Sequence, residues 1–371
     1  MLRRARRLLR VALALSVVLC FPAQTALCHG PEDSCTSRFG VGVNPAYGDI
    51  ADYPVGQLHI GWYSNWGTTL VPLCPGGMEY AQVIRVSPTS YPPDWANIAQ
   101  IIAANPRALW IIGNEPECIS QDNRTPTEYA TIYHECYTFI KEHDPTAQVA
   151  IGGVVVPTPL RREWLDHVLA AYQTAYGEPM PIDVWNIHVQ ILQEKRGSWG
   201  CGIPAGLSHD EGELYTIMDN ADPQIFIRLV QDFRQWLADQ GEQGKPLIIS
   251  EFGVLMPSEY LGYGDRVAGD IVVMNFMSQV FDFLRVASDE STGYPKDEAH
   301  LVQRWLWYSL NEPYYDFETQ TGMNGALFEA NDPTQLTVLG QHWKRYMDAI
   351  IDRGYQLYIP LHFLAFTQEQ P

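Results

Sequence analysis

The feature that most constrains this chain is an alternation. Short β-branched or aromatic runs recur between stretches whose apolar residues sit three and four apart. Eight runs have strand character: Phe39–Asn44, Leu58–Asn65, Gln82–Ser87, Ala108–Gly113, Gln148–Val156, Ile182–Ile191, Leu247–Val254 and Val302–Leu310. Between them, Thr125-Pro126-Thr127-Glu128 is a capping box with proline at the first helical position. It leads into Tyr129, Ile132, Tyr133, Cys136, Phe139 and Ile140, which form one apolar helix face. Asp222-Pro223 opens a second such face, and Asp332-Pro333 is expected to open a third through Leu336, Leu339, Trp343 and Met347. Trp95 to Ile102 and Trp164 to Tyr172 mark two more.

Strands alternating with helices imply parallel βαβ units. Eight units within about 330 residues predict an α/β fold, a closed (β/α)8 TIM barrel in a single domain. The link between the first and second strands is too short for a full helix. An open doubly wound sheet would carry a glycine-rich phosphate turn after its first strand, and Gly40-Val41-Gly42-Val43-Asn44 lacks the third glycine.

Charge divides the chain unevenly. Of 24 Lys and Arg, five lie in the first ten residues, and no acidic residue precedes Glu32. An apolar run, Val11–Phe21, and small residues around Ala23 to Ala26 follow, which is the order of a secretory signal. Residues 1–29 therefore read as a signal peptide and 30–371 as the barrel with a C-terminal extension, exported to the extracytoplasmic side or secreted. The arginine pairs leave a twin-arginine route open, while neither Cys20 nor Cys28 follows the small residue that lipidation favours. Without the leader, 19 basic residues face 43 acidic ones, a charge of −24. Such a surface repels phosphate backbones and excludes nucleic acid as a partner. No later segment is expected to span a membrane, and Tyr355–Phe366, broken by Pro360, reads as a packed tail. The seven cysteines lack the paired spacing of a zinc site, and Cys118 with Cys136 is one plausible disulfide.

Three apolar strands end in glutamate: Trp110-Ile111-Ile112-Gly113-Asn114-Glu115-Pro116, Leu247-Ile248-Ile249-Ser250-Glu251-Phe252-Gly253 and Ser309-Leu310-Asn311-Glu312-Pro313. In a parallel barrel the C-terminal strand ends carry function. Paired carboxylates suit glycoside hydrolysis, in which one donates a proton to the leaving oxygen and the other attacks the anomeric carbon or activates water.

Asn-Glu-Pro after the fourth strand, with Ile-Ser-Glu-Phe-Gly on the seventh, resembles the retaining glycoside hydrolases of clan A. With Trp62-Tyr63-Ser64-Asn65-Trp66, the order resembles the glycoside hydrolase catalytic-core family, which includes endo-β-1,3-glucanases. The resemblance implies Glu115 as acid/base and Glu251 as nucleophile, with no metal and no cofactor. It further implies Asn114 at the sugar 2-hydroxyl, His188 beside the nucleophile, and Trp307 as the strand-eight tryptophan that floors the sugar site, Trp305 being the alternative. Glu312 matches the tripeptide but follows strand eight, where the clan has no acid/base. Arg85, a charge inside a strand, either holds Glu251 ionised or makes a structural ion pair.

Aromatic residues crowd the remaining strand ends: Trp62, Tyr63, Trp66, Tyr91, Trp199, Tyr260, Tyr263, Tyr314 and Tyr315. Trp62, Trp66 and Tyr91 are the strongest candidates among them for stacking on sugar. The reading is an exported retaining β-glycosidase acting on a neutral β-linked polysaccharide, β-glucan first. The alternatives are an exo-acting β-glycosidase on oligosaccharides, or a non-catalytic carbohydrate-binding barrel. Sugar identity, linkage and oligomeric state are left open by the sequence, and the segment around Gly197–Asn220 is long enough to shape either a cleft or a pocket.

Overall fold

Capping chemistry sets the helices close to where the pattern places them. The computed structural model of the protein describes residues 36–352. The candidate leader, Cys20, Cys28, Cys35 and the Tyr355–Phe366 segment lie outside the described residues. In chain order the main elements are β1 (Phe39–Gly42), β2 (Trp62–Ser64), β3 (Glu79–Tyr80), β4 (Gln82–Ile84), α1 (Trp95–Ala104), β5 (Leu109–Ile112), α2 (Pro126–His143), β6 (Gln148–Ile151) and α3 (Pro159–Tyr176). These are followed by β7 (Trp185–Val189), α4 (Pro223–Asp239), β8 (Leu247–Phe252), α5 (Ser258–Leu261), α6 (Arg266–Val286), β9 (Arg304–Trp307), β10 (Phe328–Glu329), β11 (Asp332–Leu336) and α7 (Val338–Asp352). Thr125 accepts from the Glu128 amide and Glu128 returns the bond, so the capping box forms. Asp94, Thr158, Asp222 and Asp265 cap α1, α3, α4 and α6 in the same side-chain-to-amide manner.

The central strands pair in parallel, in the orders β3-β2-β1-β9-β8-β7 and β4-β5-β6. The fold is α/β, with its helices packed against parallel sheet. Alternation along the strands separates two apolar layers. Trp62, Ala81, Val83, Leu109, Ile111, Ala150, Val184, Ile248 and Leu306 form one buried cluster. Their strand neighbours, such as Trp110, Ile112, Ile249, Trp305 and Trp307, join the larger cluster that includes the helices. The two glycines of Gly40-Val41-Gly42 have a packing reason. A Cβ on Gly40 would lie 2.5 Å from Nε1 of Trp62, and one on Gly42 would lie 2.8 Å from the Trp66 ring.

Several expectations need correction. Asp332-Pro333 opens strand β11 rather than a helix, because Asp332 spends its carboxylate on the amide and hydroxyl of Thr334 while β11 pairs antiparallel with β10. The helix begins at Val338, where Thr337 Oγ1 accepts from the Gly340 amide. Cys118 and Cys136 are buried free thiols, while Cys74 is disulfide-bonded. Helix α6, 21 residues long, is apolar enough by length and composition alone to cross a membrane. One of its faces is buried here through Val273, Phe276, Met277, Val280, Phe281 and Leu284. The β1–β2 link holds only short 3-10 turns, as its length required.

The Gly40–Trp62 contact makes a stability prediction. Gly40→Ala forces the indole to move within a packed layer and should cost about 1–3 kcal/mol in chemical denaturation. Gly56→Ala, whose methyl would meet nothing within 4 Å, is the neutral control. Equal stability of the two variants would refute the packing argument.

Candidate active site

The turn after β5 is built around one buried carboxylate. Asp122 Oδ2 accepts from the amides of Val86 (3.0 Å) and Asn114 (2.8 Å), and Oδ1 takes the Arg85 Nε at 2.8 Å. This clamp fixes Gly113 at φ 91° and Glu115 at φ 44°, both in the left-handed region. For a glutamate that conformation is disfavoured, and such residues persist where the surroundings over-determine them. The Glu115 amide donates to Gly153 O and its carbonyl accepts from the Cys118 amide, which directs the side chain off the strand end. Arg85 therefore makes the structural ion pair with Asp122 rather than a contact with Glu251.

The opposite wall comes from β7 and β8. His188 and Gln190 lie two apart and face the same way, and the ladder shifts register so that His188 stands beside Glu251. His188 Nδ1 is 3.1 Å from Glu115 Oε1 and 4.0 Å from Glu251 Oε2, while Nε2 is 3.1 Å from Ser250 Oγ. Glu251 has two donors of its own: Trp66 Nε1 to Oε2 at 2.8 Å and Gln190 Nε2 to Oε1 at 3.1 Å. The side chains of Glu115, Glu251 and His188 are 7%, 12% and 2% exposed.

Burial dominates the proton affinities. It pushes the Glu115 carboxyl up to about 7, with the guanidinium groups of Arg161 and Arg85 opposing. It also raises Glu251, against His188 and the Gln190 and Trp66 hydrogen bonds, with the Glu115 charge adding to the rise. His188 is lowered, mainly by desolvation, so its ring is neutral near pH 7 and carries one N–H. One ligand atom each from Glu115, His188 and Glu251 lies within 4.8 Å of the others, so this trio is geometrically able to hold a cation.

These groups line a cavity of about 400 Å³ with Asn44, Trp66, Arg85, Asn114, Gln121, Gln190 and Tyr308. The structure thus brings together Glu115, Glu251, Asn114, Arg85, His188 and Trp66. It does not bring in three others. Trp307 is fully buried, donates to Gly325 O and packs on Phe252 and Phe281. Trp305 has the same parity and packs on Phe39. A one-residue error of parity reverses facing, and Tyr308 reaches the cavity instead. Trp62 is fully buried in the inner layer with Nε1 bonded to Arg38 O. Tyr91 lies on another surface, bonded to Glu135 and packed on Trp95. Gln190 was legible, since alternation from His188 points to it; Asn44 and Tyr308 carried no comparable signal. Glu312 sits just behind the wall, accepting from Asn44 Nδ2 at 2.6 Å.

Gly200 and Cys201 also line the cavity. That segment is held by a fully buried ion cluster in which Arg161 bonds Glu117 (3.0 Å), Glu194 and the carbonyls of Cys201 and Gly202. Burial raises Glu117 to about 7, and its Oε2 has no hydrogen-bond partner among the described residues.

Residues 41–195 match the family model described as glycosyl hydrolase catalytic core. The chain is a glycoside hydrolase. The matched span contains Asn114, Glu115 and His188 but stops short of Glu251. Similar solved structures include a curdlan-specific exo-β-1,3-glucanase from Blastomyces gilchristii (TM-score 0.51, 16% identity, 84% of this chain and 99% of that one). An endo-β-1,3-glucanase from Amycolatopsis mediterranei in complex with laminaritriose is similar at TM-score 0.52 and 14% identity, over 84% and 99% of the two chains. Another from Pseudomonas viridiflava is similar at 0.52 and 16%, over 83% and 97%. At these identities the likeness carries the fold. Comparison with curated proteins gives no match.

The hydrogen bond from Trp66 favours the ionised form of Glu251. Trp66→Phe should raise the Glu251 pKa and move the acidic limb of the kcat/KM–pH profile upward by roughly 1–2 units. The alkaline limb, set by a group titrating near 7, should stay in place. An unmoved acidic limb would show that this bond does not tune the site.

Proposed function

We propose that the protein is an exported, retaining β-glycosidase whose (β/α)8 barrel cleaves a neutral β-glucan by double displacement. The observation that carries this reading is the approach of the carboxylates: an oxygen of Glu115 and one of Glu251 lie within 4.8 Å. Retaining pairs stand about 5–5.5 Å apart, against about 6.5–9.5 Å for inverting pairs that must admit water between them. The β-1,3-glucanases among the similar structures make β-1,3-glucan the first substrate to try.

In this mechanism Glu251 attacks the anomeric carbon while Glu115, protonated because burial raises its pKa, gives its proton to the departing oxygen. The Trp66 and Gln190 donors keep Glu251 ionised for attack. Once Glu251 is glycosylated its charge is gone, Glu115 ionises more readily, and it takes the proton from the incoming water. Asn114 and Asn44 offer amide groups to sugar hydroxyls at the cavity wall.

Two further features support the barrel and export. Only Ala81 separates β3, which pairs with β2, from β4, which pairs with β5. The bridges Ala150↔Val184 and Val154↔Ile187 lie between β6 and β7, the other two sheet edges. Joined at both places, the strands would form a ring of eight. A disulfide at Cys74 fits an oxidising compartment, in line with the basic leader.

Glu115→Gln and Glu251→Gln should each lower kcat on the preferred glucan by at least about a hundredfold, while Glu312→Gln keeps most of it. NMR of the first-formed product should show the β-anomer. A first-formed α-anomer would exclude the double displacement, and loss confined to Glu312→Gln would reassign the acid.

A further inference from the structure

On the rim formed by the segments after β8 and β9, a group of aromatic rings is left in solvent. Tyr260 is 46% exposed, Phe317 47% and Tyr263 88%. Phe317 stands between two other rings, edge-on to Tyr260 at 5.7 Å and to Tyr315 at 5.2 Å. Isolated exposed apolar residues need no explanation, but Tyr260, Phe317 and Tyr315 are in ring contact, with Tyr263 three residues from Tyr260 along the chain, and such a contiguous set marks an interaction surface.

The backbone under these rings is tied down. The Ser258 amide donates to Tyr314 Oη at 2.8 Å, Tyr314 donates to Glu259 at 2.5 Å, and the Arg266 guanidinium stacks on the Tyr314 ring at 4.0 Å. These contacts lock α5 to the segment after β9. Tyr263 holds φ 53°, a left-handed conformation that a tyrosine adopts at some cost, yet its ring gains almost no burial in return. The segment after β9 also reaches the catalytic cavity. The segment that presents Phe317 returns to place Met323 on the cavity wall, with the Met323 amide bonded to Pro313 O.

The charge around the rings selects the partner. Glu259, Asp265, Asp316 and Glu318 flank them, while Arg266 is occupied by Tyr314. An anionic ligand would be repelled, and a second copy of a chain this acidic would be disfavoured as well. Flat rings in an acidic rim suit the apolar faces of uncharged pyranose units.

We propose that Tyr260, Tyr263 and Phe317 form a platform that holds a strand of neutral polysaccharide beside the catalytic cavity. This rests on the reading of the protein as a polysaccharide hydrolase. The platform retains the chain by ring stacking, and the cavity then acts on the portion that reaches it.

The test uses Glu251→Gln as parent, so that the polymer is not digested, and measures adsorption to insoluble β-1,3-glucan, cellulose and chitin particles. Tyr260→Ala with Phe317→Ala in that parent should weaken adsorption to the preferred polymer by about tenfold. Tyr260→Phe, which keeps the ring, should adsorb as the parent does. Melting temperature and size in solution should be unchanged in all three. Parental adsorption by the double-alanine variant, or no adsorption of the parent to any of the three polymers, overturns the platform. So does a parent that is dimeric and becomes monomeric on substitution, which would make the rings a self-association surface. Hydrolysis of soluble β-1,3-glucan by the unaltered enzyme is read separately. Its absence would remove the proposed substrate, while ring-dependent adsorption to cellulose or chitin would still support the platform.

Discussion

Two carboxylates converging on one buried, neutral imidazole set the terms for everything around them. Withdrawing a carboxylate from water is expensive unless it is protonated, paired or hydrogen-bonded. The chain uses a different remedy for each. For Glu115, burial outweighs the opposing charges of Arg161 and Arg85, and it meets the cost by holding its proton up to about pH 7. Glu251 receives N–H donors on both oxygens. Burial raises both, and what surrounds them opposes that rise by different means, guanidinium charges at Glu115 and two N–H donors at Glu251.

That difference depends on residues outside the carboxylate pair. Asp122, with two amides and Arg85, holds the left-handed turn that aims Glu115. Gly42 leaves the space that the Trp66 ring occupies, and Trp66 then reaches Glu251 Oε2. Arg161 binds the carbonyls of Cys201 and Gly202 in a segment that lines the cavity, while its charge opposes the rise in Glu115. Each of these positions bears on the carboxylate pair through geometry or field.

Much of this was legible in the sequence, for physical reasons. Strand runs, capping boxes and Asp-Pro helix starts are local signals, and all eight strand runs contain strand in the structure. The exception, Asp332-Pro333, shows the limit: the same Asx chemistry that caps a helix also turns a chain into a hairpin, and only pairing with β10 decides between them. Glu115, His188 and Glu251 were readable because polar residues closing apolar strands have few other uses. Trp307 was misplaced because facing has a period of two, and nothing local reveals on which residue the count begins. Arg85 and Cys118 were ambiguous because their partners, Asp122 and a neighbouring carbonyl, are settled by tertiary structure.

The aromatic residues then divide by environment rather than by type. Trp62, Trp305 and Trp307 are core, although each stands on a strand near the site. Trp66 and Tyr308, 5.7 Å apart, lie past the ends of their strands and line the cavity. Tyr260, Tyr263 and Phe317 lie farther out, on rim segments where no core remains to bury them. Distance along the chain from the last ladder residue is therefore a better guide to function here than ring chemistry. Inside the ladder a ring is enclosed by its neighbours, and only beyond it does a face stay open to a ligand.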